Sequence, residues 1–247
     1  MLLHPLGADR RVWGTVRPHL IAQREVICVD LPGFGDSPPL STRRPHTPAR
    51  LAVAVVELLE QLGLAGGVAH LAGNSLGGWV ALEVAAAGHA ATVTAIAPAG
   101  LWRGRLAPKP ETARWLARLA LPLLEPAMRP EWARRLFLRS IAAHPERIPP
   151  EQAAALVRTY AQAPGFTAVN RAMRAGAFTR LAEIEVPVTL VWPERDRLIA
   201  RPRSTPEGIR HVLLPGCGHV PMWDDPLAVA EALLSGSRRR RVARGAA

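Results

Sequence analysis

The stretch GNSLGG, residues 73–78, decides the fold, because this G-x-S-x-G lies directly between an apolar run and a helical pattern. A serine on so tight a strand-to-helix turn is held in strained backbone geometry, which lifts its hydroxyl out of the core. The glycines two positions to either side are needed because a Cβ there would collide with the crossing backbone. The stretch therefore predicts that Ser75 is a nucleophile, the alternative being a Gly-rich turn whose serine only caps a helix.

Short apolar runs rich in β-branched residues alternate with helical patterns around this turn. The predicted strands are residues 25–30, 67–73, 91–97, 186–192 and 211–214, and the predicted helices are residues 11–21, 47–62, 76–87 and 226–234. Such alternation is typical of a parallel sheet that is buried on both faces. The expected fold class is α/β, a mostly parallel sheet with helices on both faces.

The alternation stops between about residues 101 and 181, where aromatic and leucine residues stand at helical spacing among Arg, Ala and Pro. This region is predicted to be a helical insertion, and most of its Trp and Phe side chains are expected to form its own core. The predicted organisation is a core of residues 1–100 and 182–235, the insertion, and a disordered Arg-rich tail of residues 236–247.

The net charge of +11 comes almost entirely from arginine, since Lys109 is the sole lysine. Five arginines stand in the last ten residues, within a tail that has no apolar periodicity. Binding of that tail to polyanions would be nonspecific, so no specific nucleic-acid partner is predicted.

No apolar run is long enough to span a bilayer, and the first residues lack the pattern of a secretory signal. We therefore expect a cytoplasmic protein without a membrane span. Two isolated cysteines, Cys28 and Cys217, are expected to be reduced in that compartment.

A serine needs a base within hydrogen-bond reach and a carboxylate that orients the base. Of the eight histidines, His219 alone stands in a Gly-rich turn after a late strand, where its ring would project over the carboxyl edge of the sheet. The acid is expected at a strand end between serine and histidine. Asp196 fits best, Glu194 is the near alternative, and a surface ion pair with a neighbouring arginine would explain either carboxylate without catalysis.

Together these motifs resemble the α/β-hydrolase superfamily over essentially the whole chain. Besides the serine turn, DLPGFGDS at residues 30–37 resembles the family's loop after its fourth strand, and HVPMW at residues 219–223 resembles its histidine loop. The resemblance implies an esterase-like serine hydrolase in which residues 101–181 form a helical cap. The catalytic residues it implies, in chain order, are Ser75, Asp196 and His219.

The segment LLHPLG at residues 2–7 is similar to the family's oxyanion loop. By that match the backbone N–H groups of Leu6 and Leu76 would form the oxyanion hole, and His4 would shape the loop. Pro5 stands where the family commonly has Gly. The chain also begins at the third strand of the family pattern, so either its start lies too far downstream or the sheet lacks the N-terminal hairpin and has an exposed edge.

The expected function is hydrolysis of an ester, or a related acyl bond, of a small apolar or aromatic molecule through an acyl-enzyme, with no cofactor or metal. Trp102, Phe178 and Val220 are the expected substrate contacts, and the oligomeric state stays open. The second hypothesis is a carbon–carbon bond hydrolase of ring-cleavage products, because such enzymes often have an Asn before the serine, as Asn74 is here. It ranks second because they commonly carry Trp after the catalytic histidine, where this chain has Val220. A non-catalytic ligand-binding member and a scaffold role of the tail are further alternatives, whereas Ser75 disfavours an Asp-nucleophile epoxide hydrolase or dehalogenase.

Overall fold

The computed structural model describes residues 1–41, 45–102 and 112–238 of the 247-residue chain. The strands are β1 (Leu2–Leu3), β2 (Cys28–Val29), β3 (His70–Asn74), β4 (Thr92–Ile96), β5 (Val188–Pro193) and β6 (Arg210–Leu214). The helices are α1 (Arg17–Leu20), α2 (Pro48–Gln61), α3 (Leu76–Ala86), α4 (Thr112–Leu119), α5 (Leu124–Met128), α6 (Glu131–Leu138), α7 (Pro150–Gln162), α8 (Phe166–Ala175) and α9 (Pro226–Gly236). Short 3-10 helices cover Arg10–Trp13, Leu121–Leu123, Pro145–Arg147 and Leu181–Glu183.

Within the described residues the strands form a six-stranded sheet in the order β2-β1-β3-β4-β5-β6, and every neighbouring pair is parallel. Leu3 pairs with Val29 on one side and Gly73 on the other, and Asn74 pairs with Ile96. The carboxyl ends of β1, β3 and β4 therefore meet at one edge, where loops from distant parts of the chain can approach each other.

Alternate residues of the strands enter two separate cores. Leu3, Leu71 and Val93 pack with α2 and α3 on one face, whereas Ala72 and Ile96 pack with α1 and α9 on the other. This alternation follows from the period of two in a strand, which sends successive side chains to opposite faces. The α/β fold, with a parallel sheet and helices on both faces, is confirmed.

The single helix predicted over residues 11–21 is wrong. The structure has a 3-10 turn at Arg10–Trp13, begun by Asp9, whose side chain accepts from the Arg11 N–H at 2.9 Å, and then only the short α1. Gly14 between them is a poor helix former, and Pro18 has no N–H to bond back to it.

Helices α4 to α8 lie between β4 and β5 in the chain. Leu124, Met128, Leu138 and Ile148 belong to a small core of their own, while α8 packs against the main core. The expectation that most of the aromatic side chains in this region are core is wrong for α4 and α6: Trp115, Trp132 and Phe137 are exposed. The physical reason is that buried arginines occupy the inner sides of those two helices, as described below.

Helix α9 continues to Gly236, the first residue of the predicted tail, because its Asp225 N-cap and buried residues hold it against the sheet. Residues 239–247 of that tail, and 103–111 of the insertion, lie outside the described residues. Of the helices that the structure describes, none combines the length and the apolar character needed to cross a bilayer.

Both thiols are free, Cys217 buried and Cys28 half-buried, which predicts slow modification of Cys217 in the folded protein. Burial raises the pKa of Cys217 to about 12, with a smaller contribution from nearby carboxylates, and burial also raises the pKa of Cys28. Since only the thiolate reacts, a disulfide reagent at pH 8 is expected to modify Cys217 about a thousandfold more slowly in the folded protein than in guanidinium. Rapid reaction of two thiols without denaturant, measured by absorbance, would contradict this.

Candidate active site

Ser75 occupies the turn between β3 and α3 in a conformation that side chains rarely adopt, with φ 55° and ψ −113°. Its N–H donates to the Ile96 carbonyl at 2.9 Å, and its own carbonyl accepts from the N–H groups of Trp79 and Ala99. These bonds fix the strained residue between two strands and the helix. Backbone strain of this kind persists only where the surrounding structure holds it in place.

The glycines on either side of Ser75 have the steric role that the sequence predicts. A Cβ at Gly73 would lie 2.2 Å from the carbonyl of Gly77, and a Cβ at Gly77 would lie 2.3 Å from the Leu3 carbonyl oxygen. Both obstacles are backbone atoms, which cannot rotate aside. The turn therefore excludes any side chain at these two positions.

Gly77→Ala is expected to destabilise the fold by about 3 kcal/mol or more, the upper range for overpacked sites, because the strand carrying Leu3 must shift. The matched control is Gly63→Ala. Gly63, unlike the helical Gly77, has a positive φ, of 70°, and nothing lies within 4 Å of its added Cβ. Only the strain of the left-handed conformation remains there, about 1–2 kcal/mol. Urea unfolding of both variants measures the difference, and equal losses would contradict the steric account.

His219 and Asp196, both buried, form a close pair at this edge of the sheet. The Nδ1 atom of His219 lies 2.7 Å from Oδ2 of Asp196, and the side chain of each is 4% exposed. The other oxygen, Oδ1 of Asp196, accepts from the backbone N–H groups of Leu198 and Ile199. Glu194, the alternative acid, instead accepts from the Gly216 N–H at 2.7 Å. The geometry thus pairs the histidine with Asp196 and gives Glu194 a loop contact.

Asn74 joins the histidine loop to the serine turn. Its Nδ2 donates to the carbonyl of His219 at 3.0 Å and to that of Ile96 at 3.1 Å. The backbone of residue 219 is thereby tied to the residue that precedes Ser75. Among the described residues no hydrogen bond joins the Ser75 hydroxyl to the His219 ring, a contact that often tightens only when substrate is present.

Asp224 anchors the same loop from the opposite side, and sequence reasoning missed it. Its carboxylate accepts from the N–H groups of Gly218, Ala143 and His144 at 2.8–3.0 Å. A single carboxylate therefore connects the histidine loop to the helical insertion. The only signal in the sequence was its place five residues after His219, which is too common a spacing to identify it.

His4 sets the orientation of the Pro5–Leu6 peptide. Its Nε2 accepts from the Leu31 N–H at 3.0 Å, so the ring proton is on Nδ1, which donates to the Pro5 carbonyl at 2.8 Å. In a trans peptide the N–H points away from the carbonyl, so the N–H of Leu6 faces away from His4. Among the described residues neither this N–H nor that of Leu76, the first residue of α3, donates a hydrogen bond.

Because His4 is buried, we expect the protein to lose stability in mild acid. Burial of its ring lowers its pKa below 6.5. Below about pH 6.5 the His4 ring takes up a proton in the unfolded chain but stays neutral in the folded chain. The contribution of neutral, buried His4 to the free energy of unfolding is therefore present above that pH and is lost as the pH falls. His4→Gln is expected to cost roughly 1–3 kcal/mol at pH 7.5 and to reduce the decline between pH 7.5 and 5.5. Urea titrations at both pH values test this, with the exposed His19→Gln as the control; an unchanged decline in His4→Gln would contradict it.

The three expected substrate contacts do not lie together. Trp102 donates its indole N–H to the Gly176 carbonyl at 2.9 Å, and Phe178 packs in the same core. Val220 belongs to the core on the other face of the sheet, and its N–H donates to the Ile141 carbonyl. Tyr160 and Phe166, which the sequence analysis did not single out as substrate contacts, instead lie against Gly7 beside the candidate oxyanion loop.

The loop after β2, residues 30–37, is held by Asp30. Its carboxylate accepts from the Arg10 guanidinium and from the N–H of Asp36, and its carbonyl accepts from the Ser37 hydroxyl. This loop and the end of α7 border a polar cleft of about 300 Å³. No group of three or more His, Cys, Asp or Glu side chains in the described ranges is placed to hold a metal ion.

A parallel sheet with a strained serine after β3 and a carboxylate–histidine pair at the same edge defines the class of α/β hydrolases. A sequence profile of the Alpha/beta hydrolase family matches residues 1–232. The chain therefore belongs to the α/β-hydrolase family.

Relatives of this chain within the family are named for different activities. Epoxide hydrolase EphH of Mycobacterium tuberculosis is 33% identical over 201 residues, which cover 76% of this chain and 93% of the relative. A pimeloyl-[acyl-carrier protein] methyl ester esterase of Neisseria meningitidis serogroup A is 32% identical over 244 residues, covering 93% of this chain and 73% of the relative. The crystal structure of a bacterial membrane phospholipase A superposes with a TM-score of 0.70 at 29% identity, covering 95% of this chain and 77% of that one.

Proposed function

We propose that this protein is a serine hydrolase that cleaves an ester of a small apolar or aromatic acyl compound, with Ser75 as nucleophile, His219 as base and Asp196 as the orienting acid. The observation that carries the proposal is the buried 2.7 Å contact between His219 Nδ1 and Asp196 Oδ2, in a loop that Asn74 ties to the serine turn. With Nδ1 engaged by the acid, Nε2 is the nitrogen left to serve the hydroxyl.

The reaction proceeds in two halves. Oγ of Ser75 attacks the ester carbonyl carbon while Nε2 of His219 takes the hydroxyl proton, and Asp196 stabilises the imidazolium through Nδ1–H. The tetrahedral intermediate collapses, and the leaving alkoxide takes the proton from His219. Water then attacks the acyl-enzyme and gives its proton to His219, which returns it to Ser75 as the acid product leaves.

The N–H groups of Leu6 and Leu76 are assigned to the oxyanion of both intermediates. Pro5 is compatible with this role because its carbonyl, not a missing N–H, is the group that His4 holds. A donor of this type contributes about 2.7–4 kcal/mol to transition-state stabilisation. Residues 101–181 would act as the cap over the acyl group, and Trp102, Phe178 and Val220 stay candidate contacts within this proposal.

Ester hydrolysis fits Ser75 better than epoxide opening does. A carboxylate that opens an epoxide forms an ester, which water can hydrolyse to release the diol. Ser75 would form an ether, which has no carbonyl to attack and would leave the enzyme alkylated. We therefore expect the substrate of this protein to resemble the methyl ester in the name of the Neisseria relative more than the epoxide in the name of EphH.

Asn74 gives no independent support to carbon–carbon bond cleavage. Its amide is engaged by two main-chain carbonyls, a positioning role that any substrate class would need. A cytoplasmic location and the lack of a specific nucleic-acid partner remain part of the proposal as predictions.

The test is turnover by the purified protein on p-nitrophenyl esters of increasing acyl length, beside an aryl epoxide and a dienoic keto acid. We expect ester hydrolysis and labelling by a fluorophosphonate probe, with neither diol formation nor carbon–carbon cleavage. Saturable thermal stabilisation by acyl ligands without turnover or labelling would instead identify a ligand-binding member of the family.

A further inference from the structure

The outer sides of α4 and α6 present apolar side chains to solvent. Seven large apolar residues between positions 115 and 137 are exposed: Trp115, Leu116, Leu119, Leu123, Trp132, Leu136 and Phe137. They include every exposed Trp or Phe among the described residues, since the exposed apolar side chains elsewhere are single Ile, Val or Leu residues. We call these seven residues the apolar face.

One arginine of each helix, Arg114 in α4 and Arg134 in α6, points inward, which reverses the usual amphipathic arrangement at these positions. Arg114 is 3% exposed and Trp115 is 60% exposed, whereas Arg134 is 5% exposed and Trp132 is 67% exposed. A surface helix of an isolated globular domain normally buries its apolar stripe and exposes its charges. Packing among the residues that the structure describes therefore does not explain the apolar face.

Main-chain carbonyls hold the inward arginines in place. The Arg114 guanidinium donates to the carbonyls of Tyr160 and Ala163 and lies over the Phe166 ring, 5.0 Å from its centroid. The Arg134 guanidinium donates to the carbonyls of Met128, Arg129 and Glu146. Burying a guanidinium is unfavourable unless its donors find partners. These bonds engage both terminal nitrogens of Arg134, although its Nε has no partner among the described residues, and they favour the rotation of α4 and α6 that keeps the apolar face outward.

The charge around the apolar face is positive. Residues 112–140 contain six arginines and two glutamates, and Arg118, Arg129, Arg135 and Arg139 are exposed. Exposed Trp, Leu and Phe bordered by Arg are typical of helices that lie in the interface of an anionic bilayer. A second copy of this chain would bring two positive faces together, whereas an anionic lipid surface complements the charge.

We propose that the apolar face docks the helical insertion onto the surface of an anionic lipid bilayer, with Trp115 and Trp132 inserted at the level of the headgroups. Docking requires no spanning helix. The proposal stands apart from the proposed hydrolysis, because membrane binding is expected with or without a functional Ser75.

Flotation of the full-length protein with vesicles tests the proposal. We expect binding to vesicles of phosphatidylglycerol mixed with phosphatidylcholine, and at least about tenfold weaker binding to phosphatidylcholine alone. The variant Trp115→Gln, Leu119→Gln, Trp132→Gln, Phe137→Gln is expected to weaken binding to the anionic vesicles by about tenfold or more. The matched control is Ile21→Gln, Leu213→Gln, Leu227→Gln, which removes exposed apolar side chains elsewhere and is expected to bind as the wild type does.

Two further measurements separate this docking from other causes. Replacing Arg239, Arg240 and Arg241 by Gln tests the tail, and binding lost with that variant but retained by the apolar-face variant would overturn the proposal. Light scattering after size exclusion tests self-association, and a dimer that the apolar-face variant abolishes, without vesicle binding by the wild type, would overturn it as well. Circular dichroism and thermal unfolding are expected to be unchanged in every variant, since all these substitutions are at positions that pack little or lie in the tail.

Discussion

Ser75→Ala is expected to reduce ester hydrolysis by about 10⁴-fold or more and to abolish labelling by a fluorophosphonate probe. The hydroxyl is the atom that would form the acyl-enzyme, and no other group in the turn can replace it. The strained φ of 55° belongs to the backbone and not to the hydroxyl, so the alanine variant is expected to fold. Initial rates on a p-nitrophenyl ester, beside intact-mass detection of the probe adduct, measure both effects.

The matched control is Ser235→Ala, in α9 on the opposite face of the sheet, where the hydroxyl only donates to the Ala232 carbonyl. Its rate and its labelling are expected to equal those of the wild type. Labelling that persisted in Ser75→Ala would place the reactive nucleophile elsewhere and overturn the assignment. Loss of both activities in Ser235→Ala would point to a general effect on folding.

Asp196→Asn is expected to reduce turnover by about 10⁴-fold while leaving the fold intact. The Asn Oδ1 can keep the bonds to the N–H groups of Leu198 and Ile199, so the loop has no reason to move. The amide would then turn its NH₂ toward Nδ1 of His219 and favour the tautomer that carries its proton on Nε2. A histidine with its proton on Nε2 cannot accept the proton of Ser75.

Glu194→Gln is the control for Asp196→Asn. Glu194 lies two residues away and holds the Gly216 N–H, a bond that the Gln carbonyl can keep, so turnover is expected to stay within about twofold of the wild type. A drop in Glu194→Gln as large as that in Asp196→Asn would mean that the wrong carboxylate has been assigned. Steady-state kinetics on one ester, with thermal unfolding of each variant, decide between the two acids.

Hydrogen bonds hold the histidine loop from two directions, which limits the movement of His219. Asn74 fixes the carbonyl of His219 on the sheet side, and Asp224 fixes the N–H of Gly218 on the side of the insertion. A base whose backbone is held at both ends loses little entropy when it meets the hydroxyl. Asp224 also accepts hydrogen bonds from the N–H groups of residues 143 and 144, so a movement of the helical insertion would shift the loop that carries His219.

Local patterns predicted the elements around the serine accurately. The helix expected at residues 76–87 is α3, and the strand expected at residues 91–97 is β4. Both are mostly apolar runs, buried at nearly every position and flanked by turns that contain glycine. The helix expected at residues 11–21 is interrupted at Gly14 and Pro18. In the structure Thr15, between them, donates its hydroxyl to the Met222 carbonyl at 2.6 Å, a contact across 207 positions that no local pattern contains.

The sequence by itself determined the parallel α/β architecture, the need for glycine at positions 73 and 77, and a short set of candidates for the base and the acid. It could do so because strand period, turn sterics and motif spacing are properties of neighbouring residues. Only the tertiary structure decided that Asp196, and not Glu194, contacts His219, and that Asn74 and Asp224 hold the histidine loop. It also decided that α4 and α6 turn Arg114 and Arg134 inward. Those outcomes depend on which carbonyls, amides and carboxylates meet after the chain has folded, because a buried charge or polar group takes whatever partner the packing brings within hydrogen-bond distance.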